Sequence, residues 1–140
     1  MKFIVKLLKK EKICENTYGF YFEKPKNFNF LPGQWVSLKI LNERYKDEKG
    51  NVRPLSIASS PNEDYLFIVT RVRESLSAFK KNLLESEIGE KFEIIGPFGN
   101  MIFKPYPKIL MFAGGIAIAP FRSMILYAKE NKINSKIILF

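Results

Sequence analysis

The sequence changes character at Pro107, and that change limits what the chain can fold into. Up to that point it reads as short strand-like segments broken by turn signals. Apolar side chains recur with period two in Phe3-Val5-Leu7, in Phe20-Phe22 and from Trp35 to Ile40, the spacing of a strand with one buried face. Further strands are expected over Leu55 to Ala58, Tyr65 to Val72 and Lys91 to Ile95. Pro32-Gly33, Asp47 to Asn51, Ser60-Pro61-Asn62 and Gly96-Pro97 punctuate them, because Gly and Pro supply backbone angles that tight turns need. Short strands so spaced predict a small antiparallel barrel or sandwich over residues 1–106. One helix interrupts the series: Ser75 or Ser77 caps its start, and Ala78, Phe79, Leu83 and Leu84 keep helical spacing before Gly89.

After Pro107 the pattern is different. Lys108 to Ala113 is almost continuously apolar, Gly114-Gly115 follows, and Pro120 to Asn131 reads as an amphipathic helix with Pro near its first turn. Lys136 to Phe140 is a second apolar strand. Strand, helix and strand with continuous apolar runs form a βαβ unit of a parallel sheet, whose strands are normally covered on both faces. Two strands and one helix cannot supply that cover. Residues 107–140 are therefore expected to be an incomplete α/β domain, either truncated or completed by another chain.

Composition narrows the chemistry. The chain has no histidine and one cysteine, Cys14. Ser-His-Asp and Cys-His nucleophilic sites, imidazole zinc sites, internal disulfides and a cluster ligated by this chain's thiolates alone are all excluded; no metal ligand set is expected. The apolar content of 46%, with thirteen Phe and six Tyr, is ample for a packed core. No apolar run approaches the length of a membrane span, and the start lacks the long apolar stretch of a signal peptide, so a cytoplasmic protein is the expectation. The net charge of +9 fits lysines dispersed over a solvated surface, or a basic face that steers an acidic protein. Nucleic-acid binding is the weaker reading, because basic residues run from Lys2 to Lys136 with acidic ones among them rather than clustering with aromatics.

Five motifs fall in order: Phe30-Leu31-Pro32-Gly33-Gln34-Trp35, Arg53-Pro54-Leu55-Ser56-Ile57-Ala58-Ser59-Ser60-Pro61, Ser77-Ala78-Phe79-Lys80-Lys81-Asn82-Leu83, Gly96-Pro97-Phe98-Gly99-Asn100, and Ala113-Gly114-Gly115-Ile116-Ala117-Ile118-Ala119-Pro120-Phe121. In this order and spacing the chain resembles the ferredoxin–NADP reductase-type oxidoreductases. The resemblance runs from about Phe3 to the C-terminus, without the family's last hundred or so residues. It implies a mainly β fold: a six-stranded antiparallel Greek-key barrel with one inserted helix, followed by an incomplete Rossmann-like βαβ unit.

The resemblance also implies a flavin, FAD with FMN as the alternative. Arg53 offers a planar fork of donors suited to phosphate. Ser56 stands where the family places a hydroxyl near the flavin N5, which makes it the candidate catalytic residue, and Pro54 lies between them. Leu55 replaces the family's stacking aromatic, so contact with the ring would be apolar. The head of the inserted helix, Ser77, Ala78, Phe79 and Lys80, is the expected pyrophosphate site, since a helix N-terminus carries free N–H groups. Val69, Thr70 and Arg71 lie on the strand that contacts the ribityl or adenosine part. Gly114 and Gly115 open the nucleotide turn, with Ala117 where the family has glycine; NAD(P)H binding by this chain alone is not expected. The implied function is electron transfer from NAD(P)H through FAD to a redox partner, such as an acidic electron-transfer protein. The alternative is a truncated flavin-binding module that does not turn over NAD(P)H.

Overall fold

The computed structural model describes every residue except Glu74. The first six strands are β1 (Lys2–Cys14), β2 (Thr17–Glu23), β3 (Trp35–Ile40), β4 (Val52–Ser56), β5 (Tyr65–Arg71) and β6 (Lys91–Phe98), with α1 (Ala78–Glu85) between the last two. They form one antiparallel sheet in the order β4-β3-β6-β1-β2-β5. The order is that of interleaved hairpins, so neighbours in space are not all neighbours in sequence. The edge strands β4 and β5 share no ladder; just beyond β4, Ile57 bridges Ile68 and the Ala58 N–H donates to the Phe67 carbonyl at 2.7 Å. The expected barrel is therefore an open one: the sheet curls round its core without a closing ladder.

Alternation along each strand produces the core. Val36, Leu38 and Ile40 of β3 face Phe92 and Ile94 of β6, and Val5, Leu7, Phe20, Phe22, Leu66 and Ile68 complete the interior. Phe79 and Leu83 of α1 plug into the same cluster, spaced four residues apart on one helix face. Burying a side chain of this size contributes about 1.5–3 kcal/mol, so α1 is held by its two anchors and not by its short length.

The second unit consists of β7 (Lys108–Met111), a 3-10 turn at Gly115–Ala117, α2 (Ile118–Glu130) and β8 (Lys136–Leu139). The two strands are parallel, with Ile109 opposite Ile137 and Leu110 opposite Ile138. Phe112 and Phe140 stack on each other with centroids 4.8 Å apart, yet remain 68% and 64% exposed. A small cluster of Ala58, Phe67 and Ala119 joins this unit to the outer face of the sheet. Gly33, at φ 103°, lies so close to Met101 and to Met124 of α2 that a Cβ there would be 2.0 Å from the Met101 carbonyl oxygen. No helix among the described residues is long and apolar enough to cross a membrane.

Candidate functional site

Arg53 stands at the start of β4, just after the turn at residues 47–52. Gly50, at φ 69°, allows that turn to tighten, and the Lys49 N–H donates to Asp47 Oδ1 at 2.9 Å. The Arg53 guanidinium lies 5.3 Å from the Phe79 ring centroid. Its Nη1 donates to the carbonyls of Lys49, Gly50 and Val52 at 2.8, 3.1 and 2.6 Å. Its Nη2 is enclosed and has no partner among the described residues.

The head of α1 is built against the same turn. Ser77 is the N-cap, and its hydroxyl accepts from the Lys80 N–H at 3.4 Å. The Ala78 N–H donates to Asp47 Oδ2 at 2.7 Å. That bond, with the Lys49 N–H and the Arg53 charge, holds the Asp47 carboxyl below the usual carboxylate range. The Lys80 ammonium donates to the Arg71 carbonyl, and burial, then the Arg73 and Arg53 charges, lower its pKa.

These elements surround a cavity of about 830 Å³. Among the described residues, five basic side chains line it (Lys49, Arg53, Arg71, Arg73 and Lys80) against one acid, Asp47, while Gly114, Gly115 and Ile116 bring the glycine turn after β7 to its rim. Such a concentration of one charge focuses a field on an anion. A second cavity of about 670 Å³ shares Arg71, Gly115 and Ile116 with the first. Its walls are more apolar: Val69, Ile13 and Ile118, with Tyr21 stacked on Phe67 at 4.3 Å. Burial and the adjoining Glu11 carboxylate push the Tyr21 hydroxyl's pKa up, so it stays a neutral donor.

Of the residues singled out in the sequence, Arg53, Arg71, Ser77, Lys80, Gly114 and Gly115 line the basic cavity, and Val69 the apolar one. Ala78 contributes its backbone N–H at the helix head. Phe79 and Thr70 are buried, Phe79 within the core cluster. Leu55 packs against the core, Pro54 is exposed, and Ser56 pairs with Trp35 on β3, outside the walls of both cavities. Asp47, Lys49 and Arg73 also line the basic cavity and were not singled out by motif. Arg73 follows Arg71 by two residues beyond the end of β5, the one local cue; Asp47 and Lys49 reach the site only through the fold.

The family model of the oxidoreductase FAD-binding domain matches residues 4–103, and the chain belongs to that family. It is 31% identical over 121 residues to the glycine betaine monooxygenase reductase subunit of Chromohalobacter salexigens, covering 84% of this chain and 32% of that protein. To the sulfhydrogenase 2 subunit gamma of Pyrococcus furiosus it is 32% identical over 121 residues, covering 84% and 38%. The chain thus spans about a third of the length of these curated relatives. The crystal structure of a ferredoxin NADP+ reductase from Neisseria gonorrhoeae with bound FAD and NADP superposes with a TM-score of 0.81 at 18% identity, over 99% of this chain and 56% of that one. That likeness is one of fold.

Proposed function

We propose that this chain is the flavin-binding part of an electron-transfer reductase, passing electrons between NAD(P)H and a redox partner through FAD. Residues 1–106 would be the flavin domain and 107–140 the first part of a nucleotide domain. The observation that carries the reading is convergence: β4, the end of β5, the head of α1 and the Gly114-Gly115 turn enclose one strongly basic cavity beside an apolar one. A flavin dinucleotide needs that pair of environments, a cationic pocket for pyrophosphate and an apolar wall for a ring. The enclosed Nη2 of Arg53, without a partner among the described residues, is a donor that a phosphate oxygen would satisfy.

When bound, FAD supplies hydride acceptance and stepwise electron release. The chain's own residues hold and orient it. Arg53, Arg71 and Lys80 offset the pyrophosphate charge, and the α1 N-terminus adds backbone donors and its dipole. The apolar residues around Val69 would exclude water from the ring. Ser56, on β4 and outside both cavities, would meet the ring edge only if the ring extends beyond that apolar wall toward β4. The reductase and electron-transfer names of the relatives favour a protein acceptor as partner, with the basic surface steering an acidic one.

A second reading is favoured by the exposed Leu110, Phe112, Leu139 and Phe140. A parallel sheet with these groups in water needs a cover, and the chain alone would then hold flavin without turning over NAD(P)H until a further chain segment or another subunit completes the sheet. One experiment separates the readings. The purified chain is titrated with FAD, and the yellow complex is then mixed anaerobically with NADH or NADPH. Bleaching supports the reductase reading, and persistent colour supports the module. A chain that takes up no flavin overturns both.

A further inference from the structure

The two groups that the flavin reading assigns to phosphate are already engaged by one turn of the same chain. Asp47 Oδ2 accepts the Ala78 N–H at 2.7 Å at the head of α1, where an anionic ligand would bind. Three carbonyls of the same turn, those of Lys49, Gly50 and Val52, accept from Arg53 Nη1. A carboxylate on the helix head and carbonyl oxygens on the guanidinium reproduce, with weaker charge, the oxygens of a phosphate.

The turn is held at both ends. On the far side, the Asn51 carbonyl accepts the Ile40 N–H at 3.0 Å, and its side-chain amide donates to the Ile40 carbonyl and to Glu43 Oε1, each at 3.0 Å. The near side is fastened through α1. Asn82 of α1 is 1% exposed; its Oδ1 accepts the N–H groups of Arg44 and Tyr45 at 2.8 and 3.0 Å, and its Nδ2 donates to the Tyr45 carbonyl at 2.8 Å. Arg44 forms a two-pronged ion pair with Glu90, at 3.0 and 2.7 Å, and the Tyr45 hydroxyl donates to Glu85 at 2.8 Å. This anchor ends two residues before Asp47. The Asp47 carboxylate itself is exposed and is fastened across the fold by the single bond to Ala78. The segment therefore has two fixed ends, and between them an Asp47 side chain that can be released from Ala78.

We infer that the turn at residues 47–52 is a self-ligand: Asp47 fills the anion position at the head of α1, and its displacement sets the affinity for the incoming pyrophosphate. This inference rests on the flavin reading. Electrostatics gives the direction of exchange. Asp47 brings one negative charge and a pyrophosphate brings two, into a cavity with five basic side chains, so the ligand wins while Asp47 weakens it. The Asp47 carboxylate also moderates repulsion among those cations before a ligand arrives. Arg53 Nη2, enclosed and without a partner among the described residues, is the donor the self-ligand leaves unused.

The test is an equilibrium titration of the full chain and of its Asp47→Ala and Asp47→Asn variants with FAD, with inorganic pyrophosphate and with riboflavin, which has no phosphate. Removing a capping carboxylate is expected to tighten FAD and pyrophosphate about tenfold in Asp47→Ala, with Asp47→Asn between, and to leave riboflavin unchanged. Amide hydrogen exchange in the unaltered chain reads the same event without a mutation: the Lys49 N–H loses its Asp47 acceptor and exchanges faster when pyrophosphate is bound. If the unaltered chain binds FAD and the variants bind it equally or more weakly, or if Lys49 exchange does not change on binding, the self-ligand is wrong while the flavin reading stands. If neither the unaltered chain nor the variants bind FAD, the flavin reading fails and the self-ligand with it.

Discussion

Arg122 of α2 meets Glu63 of the loop before β5 in a two-pronged ion pair, Nη1 to Oε2 at 3.0 Å and Nη2 to Oε1 at 3.2 Å. The same Nη1 donates to the Ala58 carbonyl at 2.7 Å, and the guanidinium lies 5.1 Å from the Phe67 ring centroid. One side chain of the second unit thus ties together the loop, the end of β4 and the outer aromatic surface of the sheet. The Ser60 hydroxyl adds a bond to Glu130 at the end of the same helix.

Replacing Arg122 by alanine should destabilise the chain by about 1–2 kcal/mol, since hydrogen bonds to charged groups are worth more than neutral ones but this pair is partly solvated. Glu63 keeps the Tyr65 hydroxyl and the Ser60 N–H as partners, which limits the loss. Urea denaturation measures it. A change of zero would mean that α2 is held by its buried face, Ala119 and Met124 among it, and by the Ser60–Glu130 bond.

Acid should destabilise the fold through its paired carboxylates. Burial pushes the Glu63 pKa up, but bonds from Arg122, Tyr65 and Ser60 outweigh it and leave the value lowered. Glu90 is lowered by Arg44, and Asp47 by the Ala78 N–H. Groups whose folded pKa is depressed contribute stability that is complete above the unfolded value, about 4.3 for Glu, and is lost as pH falls through the folded one. The melting temperature should therefore drop below roughly pH 4.5, and more shallowly in Glu63→Gln. Equal slopes in both proteins would count against the pair.

Gly33→Ala should cost about 2–4 kcal/mol, because a side chain at positive φ is strained and here also collides with backbone. The 2.0 Å approach to the Met101 carbonyl leaves no cheap adjustment, although the Met124 methyl at 2.4 Å could swing aside. A calorimetric melt within a degree or two of the unaltered chain would show that the Pro32-Gly33 turn can open.

Arg53→Lys should weaken FAD binding at least tenfold even though charge is kept, since one ammonium cannot both serve the turn carbonyls and fork a phosphate. The measurement is quenching of flavin fluorescence on titration. Full retention of affinity would make Arg53 a strut of the turn and move the phosphate to Arg71 and Arg73.

Local signals located most elements. Trp35–Ile40 alternates over its whole length, and β3 has those bounds. Ser77 caps α1 as its position before Ala78 and Phe79 implies. The expected strand at Leu55 to Ala58 starts three residues late and ends two residues late: β4 runs from Val52 to Ser56. Pro54 looks like a strand breaker but sits on the edge strand, exposed, where a missing N–H costs no ladder bond.

The site was partly legible for the same reason. Arg53 and the Gly114-Gly115 turn carry their chemistry in a few consecutive residues, so the Arg53-Pro54-Leu55-Ser56 signature can be read without a fold. Asp47 carries no such mark: it reaches the Ala78 N–H across 31 positions of sequence. The sequence by itself determined the alternation, the turns, the absence of histidine chemistry and the order of motifs, because each depends on neighbours along the chain. Tertiary structure alone decided that the sheet stays open, that Phe79 and Thr70 are buried, and that a carboxylate sits on the helix head. Those outcomes depend on which surfaces meet when the strands curl, and contacts between distant residues leave no periodicity to read.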